Sequence, residues 1–171
     1  METTIAIGTA AGVRRKMTKL LSLLAVFMLV ACASSEEIRS DQKYGQGWEG
    51  IAQFEIPQRK TASYDLYLHL RNDNNYPYAN IFLIARLKSD SLVLHTDTLE
   101  YTMADPSGKW LGTGFAEVKE SKLYWRENIQ LVDSVAYQIE IEQAQRAQGS
   151  VEGYESLPGI VSIGYSLLPN N

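Results

Sequence analysis

Residues 63–71 read Ser-Tyr-Asp-Leu-Tyr-Leu-His-Leu-Arg, and the spacing of their apolar members decides the fold class. Tyr64, Leu66, Leu68 and Leu70 fall on one face of an extended chain, with Asp65, Tyr67, His69 and Arg71 on the other. A period of two is the mark of a half-buried antiparallel strand, because successive side chains in a strand point to opposite faces. His69, on the polar side, reads as a surface residue.

The same period recurs along the chain. Residues 135–143 place Val135, Tyr137, Ile139 and Ile141 inward and Gln138, Glu140 and Glu142 outward. Residues 80–88, Asn-Ile-Phe-Leu-Ile-Ala-Arg-Leu-Lys, are apolar on both faces and read as a central strand, and a last strand falls near 159–168. Turn chemistry separates these runs. Residues 71–79 crowd Asn, Asp and Pro together, and residues 104–109 place Pro106 second and Gly108 fourth in a type I turn that starts at Asp105. The pattern predicts seven to nine short strands over residues 48–168 and an all-β antiparallel sandwich, of jelly-roll or immunoglobulin-like wiring. The one stretch open to a helical reading is 115–125, Phe-Ala-Glu-Val-Lys-Glu-Ser-Lys-Leu-Tyr-Trp.

The N-terminal end differs in kind. Arg14, Arg15, Lys16 and Lys19 precede Leu20–Ala31, twelve positions in which only Ser22 is polar. That is shorter than a membrane-spanning helix requires and suits the apolar core of a secretory signal. Leu29-Val30-Ala31-Cys32 resembles the bacterial lipobox, in which cysteine is the first mature residue and carries a diacylglycerol. Cys32 is the only cysteine of the chain, which excludes an internal disulfide framework. The expected organisation is a signal helix over 1–31, a mobile polar tether over 32–47 and a β-sandwich over 48–171, with Met17 a plausible true start. Ala33 after the cysteine fits outer-membrane delivery under the rule known from enterobacteria. The competing reading of Cys32 is a buried thiol in an uncleaved helix.

Charge and motifs narrow the function. The chain carries −4 overall, and because residues 1–31 contribute +3, the remainder carries −7. An acidic body lacks the basic patch of a nucleic-acid surface. No G-x-S-x-G, H-E-x-x-H, P-loop or G-x-G-x-x-G motif occurs. The 71–75 turn lacks the spacing and carboxylate count of a calcium loop, and the two histidines supply little for a metal centre. No catalytic residue, metal or cofactor is expected. His95 and Asp97 share a strand face and read as a solvent-side polar cluster. A hydrolase would need two carboxylates facing a cleft about 5–10 Å apart, and the sequence does not place Asp97, Glu100 or Asp105 that way.

Aromatic residues near loops are the remaining signal. Tyr76, Tyr78, Trp110, Tyr124 and Trp125 can anchor a protein partner, stack on a sugar, or simply fill the core. The loops Arg71–Asn80 and Ala104–Gly114 are taken as the candidate partner-binding region, with Arg71, Asn72, Tyr76, Tyr78, Asn80, Asp105, Trp110 and Trp125 as its residues. The alternative is a carbohydrate-binding lipoprotein with Tyr76, Tyr78, Trp110 and Trp125 as stacking platforms.

Three linked segments carry a family resemblance. They are Arg71-Asn72 with Tyr76-Pro77 and Asn80, then Asp97-Thr98-Leu99-Glu100-Tyr101, then Gly108 with Trp110-Leu111-Gly112 and Gly114. With the lipobox and the closing strands, they make the chain resemble the GldH family of gliding-motility lipoproteins from the Bacteroidota. The resemblance implies a non-catalytic lipoprotein held to the membrane through Cys32. It also implies partners among the envelope proteins of gliding or of type IX secretion.

Overall fold

The computed structural model describes residues 37–170, apart from positions 46, 58, 148 and 150. The signal segment, Cys32 and the first part of the expected tether lie outside the described residues. Ten strands follow in order: β1 (Ile38–Lys43), β2 (Trp48–Glu49), β3 (Ile51–Ile56), β4 (Ala62–Asn72), β5 (Asn80–Ser89), β6 (Leu92–Thr102), β7 (Lys119–Leu131), β8 (Tyr137–Gln143), β9 (Ser156–Leu157) and β10 (Ile160–Pro169).

Two four-stranded antiparallel sheets, β1-β10-β4-β7 and β3-β8-β5-β6, face each other, and a small β2–β9 ribbon sits beside them. With β2 and β9 set aside, the eight long strands taken in chain order run 1-8-3-6 in one sheet and 2-7-4-5 in the other. That is the wiring of a jelly roll, two Greek keys folded over one core, and it decides between the two expected sandwich types. The core lies between the sheets. Leu66, Leu68 and Leu70 of β4, with Ile163, Tyr165 and Leu167 of β10, meet Phe54, Leu83, Leu87, Ile139 and Ile141 of the opposite sheet. Phe54 touches Tyr165 edge to face across the gap, ring centroids 5.5 Å apart.

The inward faces of β4 and β8 follow the alternation of the sequence. β5, read as a central strand apolar on both faces, lies between β8 and β6 with Ile81, Leu83, Ala85 and Leu87 buried and Phe82 and Ile84 half-buried. The departures have identifiable causes. Residues 38–43, expected as part of the mobile tether, form β1 and pair in register with β10 from Ile38↔Leu167 to Lys43↔Ser162. This strand (Ile-Arg-Ser-Asp-Gln-Lys) is almost wholly exposed, so main-chain hydrogen bonds hold it and no apolar pattern announces it. Polar edges of this kind also discourage edge-to-edge aggregation. Its seat is cut into β10 at Gly164, where a Cβ would overlap Asp41 and the carbonyl of Ser40.

His69 is not a surface residue. It is 3% exposed, because Arg39 of β1 and Glu120 of β7 reach over the outer face of β4. Asp97 is not in a solvent-side cluster either. His95, Asp97, Leu99 and Tyr101 all lie on the half-buried side of β6, while Thr96, Thr98 and Glu100 point to solvent. The stretch open to a helical reading becomes a bend and the 13-residue strand β7. β7 is fixed by its pairing with β4 from Ala62↔Leu131 to Asn72↔Lys119.

The sandwich has two ends of different character. One carries the start of β1, the end of β10, the β3–β4 and β7–β8 connections and the tight β5–β6 turn at Asp90 and Ser91. The other carries the long loops 73–79, 103–118 and 144–155. The first is called the hairpin end below, the second the loop end.

Candidate functional site

The loop end is built on the 73–79 segment. Asp73 closes a turn as its Oδ1 accepts the Asn75 N–H at 2.8 Å, and its own N–H donates to the Gly159 carbonyl at 2.8 Å. Gly159 has φ +74°, and a Cβ there would overlap the backbone of Asn75 and Tyr76. A glycine is therefore what lets the β9–β10 turn lie directly on this loop.

Tyr76 is buried, and its hydroxyl donates to the Asn80 carbonyl at 2.7 Å. Burial, with Tyr78 nearby, raises its pKa well above the ordinary phenol value. Rings continue outward from it. Tyr78 lies 6.0 Å and Trp110 6.2 Å from Tyr76 between centroids, and the Tyr78 and Tyr154 hydroxyls are 2.6 Å apart. Trp110 donates its indole N–H to Asn74 Oδ1 at 3.1 Å, joining the two long loops.

The turn at Asp105 is a second rigid unit. Gly108 N–H donates to the Asp105 carbonyl at 2.9 Å, as a turn starting there requires. Asp105 Oδ1 accepts from Ser107 Oγ at 2.6 Å and from the backbone N–H groups of Ser107 and Lys109 at 2.8 and 3.0 Å. The Ser107 hydroxyl bond leads the set that holds this carboxyl below its usual pKa. Asn80 donates to Glu100 at 2.9 Å. Arg71 Nε stands 3.8 Å from Glu120 Oε2, at the root of the second loop.

The structure thus gathers Arg71, Asn72, Tyr76, Tyr78, Asn80, Asp105 and Trp110 at one end of the molecule and sets Trp125 apart from them. Asn72 and Tyr76 are buried, and Tyr78 and Trp110 are half-buried with their rings against other rings. These side chains shape the loops from beneath. Trp125 is buried mid-strand on β7 and donates its indole N–H to Asp97 Oδ2 at 2.9 Å, next to Arg126 Nη2 at 2.8 Å from the same carboxylate.

The loop end exposes Val151 on the 144–155 loop and, on the 103–118 loop, Leu111 and Phe115, the last 98% accessible. Phe115 sits beside a shallow depression lined by Arg71, Thr113, Gly114, Val118 and Glu120. Sequence reading passed over it, and beside it only Gly114 offers a local signal in the sequence. Gly114 and Ala116 both take positive φ, +149° and +56°, which turns the chain sharply on either side of the ring and holds it out. Exposed aromatic and aliphatic residues rimmed by a charged pair are the usual material of a protein contact.

One other cluster has the contact order of a catalytic triad. Ser166 Oγ is 2.8 Å from His69 Nε2, and His69 Nδ1 is 3.4 Å from Glu120 Oε1. Burial first, then the nearby Arg39 guanidinium, depresses the histidine pKa, against the opposing pull of Glu120. Ser166, however, has no exposed surface, and it lies mid-strand between β1 and β4. β10 is paired on both sides at this point, so the backbone N–H groups flanking Ser166 are engaged in the ladders rather than aimed at a substrate oxygen. The cluster joins three strands through the outer face of their sheet. Among the described residues no group of three or more histidine, cysteine, aspartate or glutamate side chains is placed to hold a metal ion.

Comparison with known proteins assigns the chain to a family. A family model described as GldH lipoprotein matches residues 38–167, beginning at β1 and ending in β10. The gliding motility lipoprotein GldH of Flavobacterium johnsoniae is 36% identical over 148 residues, covering 85% of this chain and 92% of that protein. A gliding motility lipoprotein GldH homolog of Christiangramia forsetii is 37% identical over 147 residues, covering 83% and 91%. No solved structure matches. A family match from the first strand of the jelly roll to the last, with relatives matched over nearly their whole length, leaves one assignment: the chain belongs to the GldH lipoprotein family.

Proposed function

We propose that this protein is a non-catalytic component of the cell envelope that supports gliding motility, type IX protein secretion or both. It does so by holding another envelope protein at its loop end. Cys32 is the lipid attachment point, and the outer membrane is the membrane that receives it. The observation that carries the reading is the exposed Phe115–Leu111 edge on loops otherwise locked by hydrogen bonds, in a member of a gliding-motility lipoprotein family. A rigid loop end loses little conformational freedom on docking, so an exposed aromatic anchor there contributes its burial almost undiminished.

Confinement by the lipid supports the same role. Two or more acyl chains make anchoring durable, and a domain restricted to a thin layer meets membrane-bound partners at high effective concentration. The test is crosslinking in the native organism from a photoreactive residue at Leu111 or Phe115. Recovery of a gliding or secretion component supports the reading. Crosslinks only to unrelated abundant proteins, with spreading and secretion intact in a deletion strain, refute it.

The carbohydrate-binding reading receives no support from the geometry. Its four platforms are buried or packed ring against ring.

A further inference from the structure

We propose that the β5–β6 hairpin tip is a second membrane contact, with Leu92, Val93 and Leu94 seated at the headgroup–acyl boundary of the leaflet that holds the lipid on Cys32. The proposal rests on the lipid-anchor reading above.

Edge strand β6 shows two kinds of exposed residue. Along most of its length the outward positions are Thr96, Thr98, Glu100 and Thr102, all polar and suited to water. At the tip, Leu92, Val93 and Leu94 are consecutive and 66%, 46% and 39% exposed. The ladder explains how three neighbours come to face outward. Leu87 pairs with His95 and Lys88 with Val93, so Leu94 is the extra residue of a bulge. A bulge re-aims side chains, and here it removes the alternation that would have turned one of the three inward. Val132, on the β7–β8 connection at the same end, is also exposed.

Chain connectivity says what lies near this end. β1 begins at Ile38, paired with Leu167 near the end of β10, so the chain enters the sandwich at the hairpin end. Six residue steps separate Cys32 from Ile38, and an extended chain spans at most about 3.5 Å per residue. A lipid on Cys32 therefore keeps Ile38, the entry point of the sandwich, within about 20 Å of the bilayer, whatever path the intervening residues take, with the β5–β6 tip at the same end across the width of the two sheets. Apolar residues held that close bury themselves at the interface without the entropy cost of a free encounter. Charge at this end is mixed: Arg59 and Lys60 stand with Glu55, Asp90 and Asp133, so burial of the apolar tip, and not headgroup attraction, carries the contact. The Phe115 edge lies at the opposite end, so seating the hairpin in the bilayer points the loops away from it.

The experiment uses the lipidated full chain with Leu92→Cys. Once Cys32 is acylated, the new thiol is the only free one, because the chain has no other cysteine. NBD is attached there, and the protein is reconstituted into phosphatidylethanolamine–phosphatidylglycerol vesicles containing a lipid with a doxyl spin label near the headgroup end of its acyl chain. A Phe115→Cys label is the control. Quenching at position 92 at least threefold stronger than at 115, with a blue-shifted emission, is the expected result. Radiolabelled palmitate incorporation is measured on the same samples. Palmitate on Cys32 with no excess quenching at 92 overturns this inference alone. So do 92-to-92 crosslinks between two copies, which would assign the tip to a dimer. Absence of palmitate overturns the anchor reading, and this inference with it.

Discussion

Replacing Asp97 by alanine should loosen the sandwich along one edge. β6 and β7 are edge strands of opposite sheets, so no main-chain ladder joins them. Asp97 of β6 does so through side chains, accepting from Trp125 Nε1 at 2.9 Å and from Arg126 Nη2 at 2.8 Å. A second link runs from the Tyr101 hydroxyl to the Tyr124 carbonyl. Burial would raise the Asp97 pKa, but the hydrogen bonds from Arg126 and Trp125 and the guanidinium charge outweigh it, and the carboxyl stays below its usual range.

The cost of the substitution divides unequally. Trp125 is 6% exposed, so its indole N–H is left buried without a partner, a penalty of about 1–3 kcal/mol. The Arg126 side chain is 36% exposed, and its ion pair contributes only a few tenths of a kcal/mol after solvent screening. The total is about 2 kcal/mol, or roughly 6–10 °C in Tm for a domain of this size. Asp97→Asn keeps one oxygen for Trp125 and should lose about half as much. Urea unfolding followed by tryptophan fluorescence, with thermal melts alongside, measures both. If Asp97→Ala unfolds two-state with a loss below about 0.5 kcal/mol, the edge is closed by apolar packing and the reasoning about Trp125 fails. Because the larger part comes from a buried neutral donor, 1 M NaCl should remove only a minor fraction of the difference.

Three further outcomes follow from single contacts. The His69 pKa is lowered on folding, so the folded state resists a proton that the unfolded chain accepts near its ordinary value of 6.5. Stability is then fully present above about pH 6.5 and falls as the pH drops below it; unfolding curves at stepped pH should show this slope, and His69→Gln should flatten it. Gly159→Ala forces a Cβ into the backbone of Asn75 and Tyr76 at φ +74°, costing about 3 kcal/mol or more, and amide exchange should rise first in 73–79. Ser166→Ala should retain full function in complementation of a deletion strain, with a stability loss of about 1 kcal/mol; loss of function at normal protein level would mean that the Ser166–His69–Glu120 contact is catalytic after all.

The sequence made the inner faces legible because burial between two sheets imposes a period of two. Tyr64, Leu66, Leu68 and Leu70 announce one wall of the core, and Tyr137, Ile139 and Ile141 the other. The turn at Asp105 was equally readable, since its donors and acceptors are local. What alternation does not encode is how the outer face of a sheet is covered. His69 looks solvent-facing until Arg39 and Glu120, far away in the chain, close over it. β1 escaped notice for a related reason. An edge strand held by backbone bonds has no need of apolar residues, and its polar composition resembles a tether. Asp97 was misplaced because one polar residue among alternating ones reads as outward, whereas its partners Trp125 and Arg126 draw it in. At the loop end the conspicuous aromatics, Tyr76 and Trp110, turned out to build the loops, and the inconspicuous Phe115 is the one they present.

The central claim is that the loop end holds an envelope partner through Leu111 and Phe115. Its most direct test is complementation of a deletion strain by the Leu111→Asp/Phe115→Asp double variant, with protein level and thermal stability matched to wild type. Both side chains are solvent-exposed, so the fold should tolerate the change. The account predicts that spreading or secretion stays lost while the protein remains folded and membrane-bound. Full restoration of both by the double variant would contradict it.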